Sequence, residues 1–252
     1  MTNSIKIKQI SIGTDLPKIA VPITGTDAET VLLQANQIKC LNPDLIEWRI
    51  DCLTTMPSLS DLLQILNELT TLVDPIPIIC TFRTMQEGGQ QPLSETQYLE
   101  LLNGLAADDN VAILDVEINH NIVALQQVVH KLHAHQAIAL SSFHSFETTP
   151  EQVFMQNTLK RMQRIDADIF KLAVMPNTKM DVIKLMEFTQ IASIRYPNPI
   201  VTMSMGKLGQ LSRIAGIVTN SAITFASMDK QSASAPGQMH IEQLKNIFKV
   251  IK

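Results

Sequence analysis

The chain has 252 residues, 45% of them hydrophobic and 17% charged, with a formal net charge of −4. That length fits one large domain or two small ones, with ample apolar material for a core. The acidic balance, the 4% aromatic content and the lack of a basic block argue against a nucleic-acid surface. The first ten residues lack the apolar run of a signal peptide, and no stretch approaches the length of a membrane span. Cys40, Cys52 and Cys80 show no C-x-x-C spacing, so reduced thiols and a cytoplasmic location are expected.

Strand-like and helix-like segments alternate along the chain. Ile5, Ile7, Ile10 and Ile12, interleaved with Lys and Ser, read as a short hairpin placed to plug the floor of the fold. Apolar strand candidates follow at 18–23, 45–50, 77–82, 111–118, 137–143, 168–174, 199–205 and 222–227. They recur about every thirty residues, the length of a βα unit with its loops. Between them Leu59, Leu62, Leu63, Leu66 and Leu69 keep helical spacing, as do Val128, Val129 and Leu132, and finally Ile241, Leu244, Ile247, Phe248 and Ile251. Thr26 with Glu29 and Ser94 with Gln97 fit capping boxes, and Thr149-Pro150 puts proline at a first helical position. His130, His133 and His135 end a helical pattern with no carboxylate or cysteine nearby, which reads as a solvated helix end rather than a metal site.

Strict alternation predicts a parallel sheet with covered faces. Eight units predict a closed (β/α)₈ TIM barrel, one domain over 1–252, its floor closed by the hairpin. A doubly wound open sheet is the runner-up, but no G-x-G-x-x-G follows the first strand.

In such a barrel the chemistry sits at the C-terminal ends of the strands. Those ends carry Glu47, Arg49 and Asp51, placed on one face by the period of two; then Arg83 and Glu87, Asp115 and Glu117, Ser142 and His144, Lys171, Met203 and Met205 with Arg213 after them, and Ser234 and Gln238. Each alone has a plain structural reading: ion pairs for the charges, core filling for the methionines, a satisfied loop histidine. Together they converge on one mouth, where buried barrel strands otherwise read as Val, Ile and Leu. Lys171 stands out. It lies in Ala-Asp-Ile-Phe-Lys-Leu-Ala-Val-Met-Pro (167–176), so its ammonium must be paired, face a polar cavity or lose its proton. A neutral lysine amine forms a Schiff base with a ketone, a histidine beside it moves protons near neutral pH, and arginines fork onto a carboxylate. With no metal cluster and no dinucleotide loop, the residue types suggest cofactor-free imine chemistry on a small carboxylate-bearing ketone.

The chain resembles type I 3-dehydroquinate dehydratase (type I dehydroquinase) over nearly its whole length. The resemblance rests on Glu47-Trp48-Arg49-Ile50-Asp51, Thr81-Phe82-Arg83 with Glu87-Gly88-Gly89, Ser142-Phe143-His144, the segment 167–173 around Lys171, Met203-Ser204-Met205-Gly206-Lys207-Leu208-Gly209, Ser212-Arg213, and Ser234-Ala235-Pro236-Gly237-Gln238. It implies a homodimeric barrel of the shikimate pathway that dehydrates 3-dehydroquinate to 3-dehydroshikimate without a cofactor or metal. It also implies Lys171 as the Schiff-base lysine, His144 as the general acid and base, and Glu87 as the carboxylate tuning that histidine. Glu47, Arg49, Arg83, Arg213, Ser234 and Gln238 match substrate-binding positions, with Arg213 at the substrate carboxylate, and Met203 and Met205 would line the ring pocket. Asp115 and Glu117 are expected beside Lys171, where they would stabilise the iminium. The loop 228–238 is expected to close over substrate.

Three positions depart from the family pattern: Pro22 where some members have a substrate-touching serine, Ser145 where aspartate is common, and Asn220 where glycine is common. Two other readings keep the barrel. A class I aldolase would share the lysine but bind a sugar phosphate, with Gly206-Lys207-Leu208-Gly209 the nearest phosphate loop. A binding protein would hold a carboxylated ligand without forming an imine.

Overall fold

The computed structural model describes residues 4–229 and 234–251. Strands β1 (Ile5–Ile7) and β2 (Ile10–Ile12) form an antiparallel hairpin. Eight parallel strands follow among the described residues: β3 (Lys18–Ile23), β4 (Leu45–Arg49), β5 (Ile78–Thr81), β6 (Ile113–Glu117), β7 (Ile138–Ser145), β8 (Ile169–Val174), β9 (Ile200–Ser204) and β10 (Ile223–Ser227). The connecting helices are α1 (Ala28–Cys40), α2 (Leu59–Val73), α3 (Glu95–Leu105), α4 (Ile122–Ala134), α5 (Gln152–Arg164) and α6 (Lys179–Arg195), then the short α7 (Gln210–Ile214) and α8 (Gly216–Thr219). A two-residue strand β11 (Met239–His240) pairs with β10 ahead of the last helix, α9 (Ile241–Ile251).

Backbone ladders run in order from β10 through β3 and on to β9. The cylinder closes between β9 and β10 by other means. Ala222 N–H donates to Ile200 O at 2.8 Å, and Thr202 N–H donates to the Ser221 hydroxyl at 3.0 Å. The Ser221 hydroxyl in turn reaches Thr202 O at 3.3 Å. The result is the expected (β/α)₈ barrel.

Period-two geometry sorts every strand into an inner and an outer set. One apolar residue per barrel strand, Ala20, Leu45, Ile79, Ile113, Leu140, Ile169, Val201 and Ile223, packs into a buried bottom layer. Ile12 of the hairpin is fully buried against this layer, and Ile5, Ile7 and Ile10 pack beside it, so the hairpin covers the floor as expected. The alternate residues, such as Ile46, Trp48, Val116 and Leu172, face the helices and share a core with Val31, Leu66, Leu102 and Leu185.

The strand bounds fall within a residue or two of the sequence reading, with one useful difference. Strand β7 continues to Ser145, so His144 sits inside the ladder, paired with Ala173, rather than after the strand. The Ser94 and Gln97 box forms. The Thr26 box does not: Asp27 caps α1 and boxes with Thr30, whose N–H it accepts at 2.8 Å. Pro150 lies outside α5, because Glu151 is the N-cap and the Thr149 hydroxyl donates to Met175 O at 3.1 Å. His133 and His135 do have carboxylates, Asp168 at 3.0 Å and Asp109 at 2.7 Å, supplied by distant parts of the chain that local spacing does not show.

Candidate active site

Two residues up each strand from the apolar floor, the inner layer becomes Pro22, Glu47, Thr81, Asp115, Ser142, Lys171, Met203 and Phe225. A further two up come Arg49, Arg83, Glu117, His144, Ala173 and Met205. The polar mouth is therefore a direct product of register: the same alternation that buries Ile169 aims Lys171 into the barrel.

Lys171 stands within β8 and is 4% exposed. Its Nζ lies 3.5 Å from Glu47 Oε1, 3.5 Å from Asp115 Oδ2 and 4.3 Å from the ring centroid of Phe225. Both carboxylate distances are long for charge-assisted bonds, so the amine is held without being clamped. Glu117 is not one of its partners. That carboxylate accepts from Arg83 Nη1 at 2.9 Å, Thr84 N at 2.9 Å and the Thr84 hydroxyl at 2.7 Å. The carboxylates at Lys171 are thus Glu47 and Asp115, and the expected place of Glu117 is corrected.

Arg83 organises the centre. It donates to Asp115 at 2.8 Å, to Glu117 and to the Ser142 hydroxyl, each at 2.9 Å. Burial works against its charge, yet Asp115, Glu117 and Glu87 outweigh that and hold the guanidinium well above its ordinary value. Burial likewise pushes the Asp115 carboxyl up, and Arg83 and Lys171 more than reverse it, leaving Asp115 below the usual carboxylate range. Arg49 forks onto Asp51 through two 2.8 Å bonds. Asp51 lies past the strand end, in the turn Ile50–Cys52, and also accepts from Arg83 N and Gln90 N, both at 3.1 Å. It anchors the arginine and does not line the cavity.

His144 and Glu87 form a pair: His144 Nδ1 is 2.8 Å from Glu87 Oε2, which also accepts His144 N–H at 3.0 Å. Burial, and then the cations Arg83, Lys171 and Arg49, push the imidazole well below its ordinary value. Burial and Glu117 push the Glu87 carboxyl well above its own, against Arg83. The first shift leaves His144 neutral near pH 7, and the second gives Glu87 a raised affinity for a proton. With Nδ1 committed to Glu87, Nε2 is the ring nitrogen left for a ligand.

One cavity gathers Glu47, Arg49, Arg83, Glu87, His144, Lys171, Met203, Met205, Ser234 and Gln238. It is small, about 40 Å³, because the segment carrying Ser234 and Gln238 lies over it. Arg49 Nη1 reaches Ser234 O at 3.4 Å, and Gln238 and Ser234 bond each other twice at 3.0 Å. The proposed closing loop falls partly on residues 230–233, outside the described residues. Arg213 does not line this cavity. Its guanidinium lies 3.9 Å from the Met203 sulfur and donates to Pro236 O at 3.0 Å and Phe225 O at 3.4 Å, while its buried Nε has no partner among the described residues. Burial pulls its pKa down to about 10. It is a desolvated cation behind the methionine wall.

The cavity also uses Phe225 and Phe146, which the sequence reading missed, and Ala173, Ala235 and Gly88, which stand in its motifs without an assigned role. Phe225 and Ala173 follow from continuing the alternation inside β10 and β8. Phe146 packs on Gly88, whose φ of +85° suits glycine and whose Cβ, if present, would meet the Phe146 ring at 2.4 Å. The departures are accommodated. The β10–β3 ladder ends at Ala20, so Pro22 is placed where a missing N–H leaves that ladder intact. The Ser145 hydroxyl turns to Thr148 O at 2.8 Å, and Asn220 takes a φ of 60°, a region Asn tolerates. The thiols of Cys52 and Cys80 are pushed up by burial, to about 11 and about 12. Among the described residues, no group of three His, Cys, Asp or Glu is placed to hold a metal ion, and no helix is long and apolar enough to cross a membrane.

Fold and mouth together define a (β/α)₈-barrel enzyme with a lysine, a histidine–glutamate pair and arginines at the C-terminal ends of its strands. The family model for type I 3-dehydroquinase matches residues 19–252, and the chain belongs to that family. A 3-dehydroquinate dehydratase of Lactiplantibacillus plantarum is 38% identical over 97% of this chain and 96% of its own length. The type I 3-dehydroquinate dehydratase of Clostridium difficile, solved with covalently modified comenic acid, superposes with a TM-score of 0.94 at 33% identity, covering 100% of this chain and 98% of that one. The Enterococcus faecalis 3-dehydroquinate dehydratase structure gives 0.90 at 33% identity, covering 98% and 99%.

Proposed function

We propose that this chain dehydrates 3-dehydroquinate to 3-dehydroshikimate through a Schiff base on Lys171, as a step of the shikimate pathway. The observation that carries the reading is the placement of a buried, loosely held lysine amine in the same cavity as the neutral face of a histidine–glutamate pair. Lys171 Nζ attacks the ketone carbon, and loss of the carbonyl oxygen as water leaves an iminium. Asp115 and Glu47, each 3.5 Å from Nζ, face that positive charge. The iminium draws electrons from the adjacent C–H bond, and His144 Nε2 takes the proton to give an enamine. As Nε2 gains that proton, the one on Nδ1 shifts toward Glu87 Oε2, whose raised affinity keeps the ring near neutrality. The enamine electrons return, the hydroxyl one carbon further leaves, and it collects its proton from Nε2 as water. Hydrolysis of the imine then frees the product and the amine.

Arg213 meets the substrate carboxylate in this reading, and its desolvated charge beside Met203 supports that role. Arg49, Arg83, Ser234 and Gln238 bind the hydroxyl-bearing face, and Met203 and Met205 wall the ring. An aldolase reading is disfavoured because Gly206 N–H is spent on Pro236 O and Gly209 N–H on Gly206 O, so two of the four amides of the candidate phosphate loop are already engaged. The homodimer and cytoplasmic location implied by the family belong to the same proposal, the first checked by sedimentation velocity.

The test is intact-mass analysis after mixing the protein with 3-dehydroquinate and borohydride, alongside Lys171→Ala. A ligand-sized gain in the wild type, absent from the variant, supports the imine and its lysine. Product formation with no gain sinks the Schiff-base route, and neither product nor gain sinks the activity.

A further inference from the structure

Glu87 and His144 line a second cavity as well as the one that holds Lys171. This rear pocket, about 320 Å³, is bordered also by Gln86, Glu95, Asn119 and His120. Gln86, Glu95 and Asn119 are exposed, so the pocket opens to solvent on the side of the pair away from Lys171. The Glu87 side chain is therefore a partition between two spaces. Its two oxygens are held differently. Oε2 takes both bonds from His144. Oε1, among the described residues, takes one hydrogen bond, from Asn119 Nδ2 at 3.1 Å. The Asn119 amide is oriented in turn, since Arg161 Nη1 donates to its Oδ1 at 3.2 Å while Arg161 Nη2 fixes Ile118 O at 2.7 Å.

A carboxylate held at one oxygen rotates about its last torsion, and here rotation would carry Oε2 off His144 Nδ1 toward the rear pocket. We propose that Asn119, held by Arg161, is a positioning residue for the Glu87–His144 pair. It anchors Oε1 from behind and so fixes Oε2 on Nδ1 in the orientation that leaves Nε2 facing the substrate. Its N–H also stabilises the ionised form of Glu87, lowering the pair's proton affinity. This rests on the acid–base roles proposed above for Glu87 and His144. The groups facing the pair are Arg83, with its Nη1 3.7 Å from Glu87 Oε2, then Glu117, Asp115, Lys171 and Arg49, and across the rear pocket His120 and Glu95.

The experiment is the pH dependence of kcat and KM for dehydration by the full chain, compared among wild type, Asn119→Ala, Asn119→Asp and Arg161→Met. Asn119 is exposed, so the variants are expected to fold, and thermal unfolding checks this. Loss of the donor in Asn119→Ala is expected to lower kcat by about threefold to tenfold with KM within about twofold. The acid limb of kcat/KM is expected to move up, because the pair then holds its proton more tightly. Asn119→Asp adds a like charge beside Glu87 and moves that limb further, by about one pH unit. Arg161→Met shifts it in the same direction by less. Unchanged acid limbs in all three variants, with a kcat like that of the wild type, overturn the inference even if their melting temperatures fall. A different failure marks the underlying reading: if His144→Ala turns over like the wild type, the acid–base assignment itself is wrong.

Discussion

Lys171 Nζ stands 3.5 Å from Asp115 Oδ2, an oxygen that already accepts a 2.8 Å bond from Arg83. One carboxylate oxygen thus serves a fixed cation and the amine proposed to become an iminium. The Ser142 hydroxyl holds the other oxygen at 2.6 Å, so the carboxylate cannot swing away as the charge on Lys171 changes.

Asp115→Asn separates these two duties. Breaking a fully buried ion pair costs about 3–5 kcal/mol, so thermal unfolding is expected to shift down. Removing the negative charge beside the iminium is expected to slow borohydride trapping by about tenfold, equivalent to about 1.4 kcal/mol. Trapping at the wild-type rate in a destabilised variant would assign Asp115 to Arg83 alone.

For His144, substitution by alanine is expected to reduce turnover by about 10²–10⁴-fold. Imine formation precedes the proton transfer, so the trapped adduct should still form and accumulate. Loss of the adduct along with turnover would place His144 in imine formation instead.

The depressed affinity of His144 for protons sets the direction of two pH effects. The base form is filled at neutral pH, so the acid limb of kcat/KM lies below about 6.5, the ordinary histidine value. Its folded value lies below its unfolded one, so its contribution to stability is fully present above about pH 6.5 and is lost as pH falls toward the folded value. Denaturant titrations between pH 4 and 8 check the second effect. Equal midpoints over that range would contradict the burial of a neutral imidazole.

Arg213 is a buried cation that donates to the carbonyls of Phe225 and Pro236 and to the Met203 sulfur. Arg213→Met is expected to raise the melting temperature of the free protein, because an apolar chain of similar length replaces a desolvated charge. The same change is expected to raise KM by about tenfold to a hundredfold, the worth of a charge-assisted bond to a carboxylate. A less stable free variant would show that the bonds to Pro236 and Phe225 outweigh desolvation.

Gly88→Ala tests the apolar rim. The substitution strains a positive φ, at about 1–2 kcal/mol, and drives a methyl into the Phe146 ring. KM is expected to rise severalfold with little change in kcat, because Phe146 moves while Lys171 and His144 stay in place. Steady-state kinetics decide it, and unchanged KM would remove Phe146 from the binding surface.

The charged residues of the mouth were legible because each interrupts an apolar strand. Glu47, Arg83, Asp115 and Lys171 could not be covered cheaply anywhere except in a shared polar space. The partner choices were not legible. Whether Glu117 faces Lys171 or Arg83 depends on how far β6 lies from β8, a distance that no local pattern encodes. The same holds for Asp168 and Asp109, which meet histidines 35 and 26 residues away. Phe146 was missed because a loop has no period, and Asn119 because an exposed amide looks like any other until Glu87 is placed beneath it. The Asp27 cap was missed for a local reason: two adjacent residues could each cap, and the carboxylate won.

The join between β9 and β10 has a consequence of its own. Elsewhere the ring of strands is riveted by repeated backbone bonds, whereas here it is fastened by Ala222 and by one serine hydroxyl acting as a clasp. A hoop with a clasp comes undone at the clasp. The amides of Thr202 and Ala222 should therefore trade hydrogen for deuterium sooner than those of Leu114 or Leu140. Because β9 carries Met203 and leads into Met205, the first breath of the molecule loosens the wall in front of Arg213. The strands bearing Lys171 and His144 stay locked behind it.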